Sequence, residues 1–130
     1  MKHAPQRPAR LLHRAALVAL FAGAAANADA QDIVERGQVL YEYWCATCHG
    51  PGIGNNGAQY LPGTDALRVK YQGALPALLA ERTDMARELV KLYVRQGITI
   101  MPFFRKTEID DAELDAIAAY LTRNNPRRPE

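Results

Sequence analysis

The string Trp44-Cys45-Ala46-Thr47-Cys48-His49-Gly50 holds both cysteines of the chain, three residues apart, with a histidine directly behind the second. Four chemistries use thiols at this spacing. A redox dithiol of the thioredoxin kind needs its CxxC where a strand opens a helix, and no alternating strand pattern precedes Cys45. A structural zinc site needs four ligands, and only two cysteines and one histidine stand here. A disulfide between residues so close would shut a very small loop and gain little in the chain-entropy account. The fourth use is specific to exported proteins: in CxxCH each thiol adds to a vinyl group of a c-type haem, and the adjacent histidine ligates the iron. The rest of the sequence favours this last reading over the other three.

Export is legible at the N-terminus. Lys2, Arg7, Arg10 and Arg14 make a positive start, Ala15 to Ala26 is a 12-residue apolar run, and Ala28-Asp29-Ala30 is a small-x-small cleavage site. These are the three parts of a signal peptide over residues 1–30. The apolar run falls short of the about 20 residues a bilayer-spanning helix needs, so no transmembrane anchor is expected in the mature chain. An uncleaved anchor and a disordered basic tail are the competing readings. The full chain carries 16 basic and 14 acidic side chains, a net +2 that suggests nucleic acid as a partner. Cleavage removes four of the basic residues and one acidic residue, leaving 12 against 13, and nucleic acid is no longer expected. The expected location is the periplasm.

Cleavage also discards His3 and His13, so His49 is the one histidine left for chemistry. A mature chain of about 100 residues buries a thin core, and a large apolar cofactor would thicken it. A haem used for electron transfer needs a second axial ligand, and Met85 and Met101 are the methionines that remain. Met101 stands in Gly97-Ile98-Thr99-Ile100-Met101-Pro102-Phe103-Phe104, where Pro102 denies a helix and fixes the approach of the chain. Met85 opens an amphipathic pattern and reads as a core side chain. Met101 is therefore the expected ligand opposite His49. A five-coordinate haem enzyme or gas sensor would need that side open and a distal acid–base group, and no second histidine survives cleavage.

The periodicity is helical throughout. Ile33, Gly37, Leu40, Tyr41 and Trp44 recur on one side of a first helix, with Asp32 as N-cap and Glu35 completing a capping box. A middle helix is expected over 84–96 with Leu89, Leu92, Tyr93 and Met85 inward, ended by Gly97. The last helix has Asp110 as N-cap, Glu113 at its third position, and Leu114, Ile117, Ala118, Tyr120 and Leu121 inward. A short helical piece from Pro76 to Arg82 is added by the proline. Five glycines between Gly50 and Gly63 mark a loop able to lie close over a flat face. Residues 124–130 read as a mobile tail.

Taken in order, a GxxxY pair at Gly37 and Tyr41, CxxCH, a helix ended by Gly97, Met101-Pro102 with aromatics, and Ala119-Tyr120-Leu121 in a final helix resemble the class I c-type cytochromes over residues 32–123. More narrowly, the chain resembles the cytochrome subunits of flavocytochromes of the p-cresol methylhydroxylase type. The resemblance implies an all-α, small cytochrome c fold, three main helices with short helical turns around one covalently bound haem, in a domain over 31–123. It implies that the first and last helices cross at Gly37 and Tyr41 against Ile117, Tyr120 and Leu121. It implies a Pro carbonyl accepting a hydrogen bond from the ligating histidine; the usual Gly-Pro is here Leu61-Pro62-Gly63, and the role falls to Pro62. Haem c would be held by Cys45, Cys48, His49 and Met101. The implied work is single-electron transfer rather than catalysis, from a periplasmic dehydrogenase, plausibly a flavoprotein, to a later cytochrome, copper protein or oxidase. An obligate subunit of one dehydrogenase complex would carry the same motifs. Phe103, Phe104, Arg105 and Lys106, just past Met101, are candidates for the docking surface, with packing of the phenylalanines on haem as the competing reading.

Overall fold

The computed structural model describes residues 30–127; the expected leader up to residue 29 and residues 128–130 of the expected tail lie outside the described residues. The chain divides into units Met1–Asp32 and Ile33–Glu130, and the packing below is that of the second.

Among the described residues five helices carry the fold: α1 over 30–44, α2 over Ala46–His49, α3 over Pro62–Tyr71, α4 over Arg87–Gln96 and α5 over Asp111–Thr122, with 3-10 turns at Asn55–Gly57 and Leu79–Glu81. Among the described residues the only extended pairing is an isolated bridge between Ile98 and Met101. The architecture is that of a small all-α cytochrome c fold.

α5 follows its sequence signature closely. Asp110 accepts from the Glu113 N–H at 2.8 Å, and the Glu113 carboxylate accepts from the Asp110 N–H at 2.9 Å, the reciprocal capping box expected there. The helix is buried on nearly every side from Leu114 to Thr122, including Ala116 and Ala119, because short alanines let neighbours close on faces that larger side chains would hold apart.

α1 crosses α5 at Gly37. A Cβ there would fall on the Ala116 carbonyl oxygen and within 2.9 Å of Tyr120 Cβ, so only hydrogen fits. One turn on, the rings of Tyr41 and Tyr120 meet with centroids 5.4 Å apart, the crossing that the resemblance implied. The start of α1 differs from expectation: residue 30 is already helical, so Asp32 lies within the helix and does not cap it.

α4 is shorter than expected and turned differently. It begins at Arg87, and Asp84 serves another purpose: its two carboxylate oxygens accept from Arg82 Nε and Nη2, both at 2.6 Å. That guanidinium is buried and lies 4.4 Å from the Tyr71 ring centroid, joining the end of α3 to the approach of α4. Val90 and Val94, four residues apart, form the buried stripe, whereas Leu89 and Leu92 are 38% and 45% exposed. Ion pairs of Lys91 with Asp115 and of Arg95 with Asp111 join α4 to α5 beside the buried stripe.

The helix α3 was not anticipated. Pro62 and Gly63 at its start read as loop, and Thr64 is its one buried residue, so it has no apolar stripe to detect. The expected helical piece over 76–82 contracts to the 3-10 turn. At the other end, Asn124 and Asn125 donate to the carbonyls of Ala80 and Met85 at 3.2 and 2.8 Å.

Gly37→Ala should lower unfolding stability by about 3 kcal/mol, the upper end of overpacking costs, since a backbone carbonyl cannot swing aside. Val39→Ala, on the exposed side of the same helix, should stay within about 0.5 kcal/mol. Denaturant titration of the purified protein measures both.

Candidate functional site

α1 ends at Trp44 and delivers Cys45 into a turn whose N–H donates to the Tyr41 carbonyl at 2.9 Å. The next residues wind into α2, with His49 N–H donating to the Cys45 carbonyl at 2.8 Å and Gly50 N–H to that of Ala46 at 2.9 Å. The single turn brings Cys45, Cys48 and His49 together, as their spacing anticipated. Both thiols are free; Cys48 is exposed and Cys45 half-buried. Burial, and then the neighbouring Cys48, push the Cys45 thiol up to about 12, so it stays protonated at neutral pH. Among the described residues no group of three or more His, Cys, Asp or Glu could hold a metal ion.

His49 is neutral because burial disfavours its charged form. Its Nδ1 is buried and has no hydrogen-bond partner. The expected bond to the Pro62 carbonyl is not formed: as first residue of α3, Pro62 has its carbonyl in that helix's own ladder. What meets the imidazole is the next residue. A Cβ on Gly63 would lie 2.6 Å from His49 Cε1 and 2.7 Å from Nδ1, so the ring rests on bare backbone.

The carbonyls leaving α2 are held by side chains that sequence reasoning gave to the core or passed over. The Tyr41 hydroxyl donates to the His49 carbonyl at 2.9 Å. The Thr64 hydroxyl, buried, donates to the Gly50 carbonyl at 2.9 Å. The signal for Tyr41 lay in its hydroxyl, since a buried tyrosine in an apolar stripe needs a polar partner; the N-terminal turn of α3 gave none for Thr64. A cleft of about 520 Å³ opens beside this turn, lined by Gly50, Pro51, Ile53, Tyr60, Ala77 and Leu78 among others.

Met101 is half-buried and packs on the edge of the apolar core that also receives Trp44, Cys45 and Phe104. Its N–H and carbonyl pair with Ile98 at 2.9 and 3.2 Å around a tight turn in which Thr99 takes a positive φ of 52°. Gly97 makes that turn possible: its φ is 68°, and a Cβ would be 2.7 Å from the Met101 carbonyl oxygen. Arg95 donates to the carbonyls of Phe104 and Ile109 at 3.1 and 2.9 Å, tying down the chain beyond Met101. Met85 lies in the buried core, as a packing residue should.

The docking candidates divide. Phe104 meets the Trp44 ring edge-on at 5.9 Å, while Phe103 is 60% exposed. Arg105 pairs with Glu108, and Lys106 with Asp111, which also takes Arg95. Both charges of the candidate docking segment are thus paired with carboxylates of the chain.

The family described as cytochrome c oxidase, cbb3-type, subunit III matches residues 32–121. The chain belongs to this family. Membership gives it a cytochrome c domain, and with that haem binding and electron transfer. A protein of Pseudomonas aeruginosa named dihydro-heme d1 dehydrogenase is 31% identical over 115 residues, which are 88% of this chain and 20% of that protein. The chain thus spans about a fifth of that relative's length. No solved structure matches. Among the described residues no helix is long and apolar enough to cross a membrane.

The residues at the turn fit a haem of the c type. Two thiols stand free at attachment spacing, the imidazole beside them is neutral with a lone pair to offer, and its Nδ1 is a buried donor awaiting an acceptor once Nε2 is engaged. Gly63→Ala should push the imidazole off its seat. Purified protein is expected to show a lower ratio of haem absorbance to protein absorbance than wild type.

Proposed function

We propose that this chain is an exported, periplasmic c-type cytochrome with one covalently bound haem, carrying single electrons from a flavin- or quinone-dependent dehydrogenase to a later cytochrome, copper protein or oxidase. The observation that carries the reading is the half-buried His49, its Nδ1 buried and without a partner, set beside two free thiols in a cytochrome c domain.

When bound, haem supplies a site that gains and loses one electron reversibly, and a histidine–methionine ligand pair raises its potential. Cys45 and Cys48 would hold it through thioethers, and His49 and Met101 would ligate its iron. The Gly63 backbone supports the ring of His49, and Gly97 with Arg95 fixes the loop that presents Met101. With both iron ligands supplied by the chain, the chain's own work would be to bind, orient and exclude water rather than to admit a substrate.

Two observations bear on the partner. The relative's name is that of a dehydrogenase, and the matched stretch is a fifth of it, which supports a dehydrogenase as electron source for this chain. The same observation favours a second reading, that the chain is a standing subunit of such a complex; copurification of the tagged protein with a dehydrogenase through gel filtration would decide for it. Resemblance to p-cresol methylhydroxylase cytochromes points to a flavoprotein source.

Exported protein should carry haem that survives denaturing electrophoresis and acid acetone, and Cys45→Ala with Cys48→Ala should abolish that signal. A colourless band for the wild type overturns the reading. Met101→Ala should keep the haem attached, lose the long-wavelength sulfur-to-iron absorption band and lower the midpoint potential. Met85→Leu should leave band and potential in place at a cost below about 1.5 kcal/mol. Interchanged results would move the ligand assignment to Met85.

A further inference from the structure

The carbonyls at the end of a four-residue helix have no following turn to satisfy them. In α2 they are taken from opposite sides. Tyr41 of α1 reaches the His49 carbonyl at 2.9 Å, and Thr64 of α3 reaches that of Gly50 at 2.9 Å, lying 3.5 Å from that of Cys48. Both donors are buried, with 3% of each residue exposed, so water does not compete for either bond. Tyr41 is itself fixed: its ring packs on Tyr120, the Arg123 guanidinium lies 3.9 Å from the centroid of that second ring, and Arg123 donates to the Ala80 carbonyl at 2.8 Å.

We propose that Tyr41 and Thr64 are positioning residues for His49: their two hydroxyls clamp the two peptide units that follow it out of α2 and so set the plane in which the imidazole stands. The inference rests on His49 being an axial ligand. Gly63 stops the ring from one side, but a ring on a rotating backbone would still swing, and the two hydrogen bonds remove that rotation. A packing role alone would need the Tyr41 ring and not its oxygen.

The ring and the oxygen are separable. In ferric holoprotein the positions of the paramagnetically shifted haem methyl resonances follow the orientation of the axial imidazole plane. Tyr41→Phe keeps the ring and Thr64→Val keeps the shape; each should shift the order or spread of those resonances. Tyr120→Phe, whose hydroxyl holds nothing in the turn, and Thr64→Ser, which retains the donor, should reproduce the wild-type pattern. If Tyr41→Phe gives no holoprotein, the two Thr64 variants decide. A wild-type pattern in Thr64→Val, or in a folded Tyr41→Phe, overturns the proposal. Absence of any shifted resonance in the wild type would instead refute the haem reading itself, so the two failures are distinct.

Discussion

Everything that holds the CxxCH turn depends on the contact between α1 and α5, where a missing side chain at Gly37 lets the helix backbones approach to van der Waals distance. That contact sets the axial position of α1, and α1 ends at the turn. A displacement of α1 along α5 would separate Tyr41 from Tyr120 and carry Cys45 away from the core edge it shares with Met101. Close approach is a constraint of fixed geometry, because the atom opposite Gly37 is a backbone carbonyl rather than a flexible side chain tip. The buried length of α5, capped at Asp110 and free of large outward-facing apolar groups, acts as the fixed partner against which the rest is placed.

The parts of the fold legible in the sequence are those where local chemistry and burial agree. The capping box of α5 is a local hydrogen-bond pattern, and Gly37, Tyr41 and Tyr120 recur at helical period; both signals survive in a single sequence. α3 was illegible because its role is polar: it buries one threonine and rests glycine backbone against an imidazole, and neither leaves a hydrophobic stripe. The start of α4 was misread because Asp84 has two competing uses, helix cap and partner of a buried arginine, and the bidentate ion pair with Arg82 wins. The inward face of α4 was misread because Leu89 and Leu92 recur at the same helical period as Val90 and Val94, and the valines are buried in the core shared with α5, a packing that no reading of one helix alone contains.

Of the candidate site, the three residues of the turn were legible because covalent spacing forces them together. Met101 was legible as a loop residue through Pro102, and its setting depends on a positive φ at Gly97 that the glycine allowed. The histidine's surroundings were not. The acceptor expected at Pro62 is drawn into α3 by the helix it starts, and the contact passes to Gly63. Tyr41 was read as core, which its ring is; its oxygen acts across eight residues on a carbonyl that has no signature in sequence.

The charges beyond Met101 show how a sequence patch can mislead about partners. Arg105 and Lys106 are adjacent and both exposed, yet Glu108 and Asp111 stand within 4 Å of them, and Asp111 is shared with Arg95, which also holds the carbonyls of Phe104 and Ile109. Exposed pairs of this kind contribute little to stability. Their larger effect is on the field: a cation paired with a carboxylate presents a dipole whose potential falls faster with distance than that of a free charge. Long-range steering of an incoming protein therefore has little to act on at this end of the molecule. Ile98, Ile100 and Phe103 are also exposed around the Met101 turn. Recognition there would depend on short-range burial of those side chains, a contribution that salt does not screen.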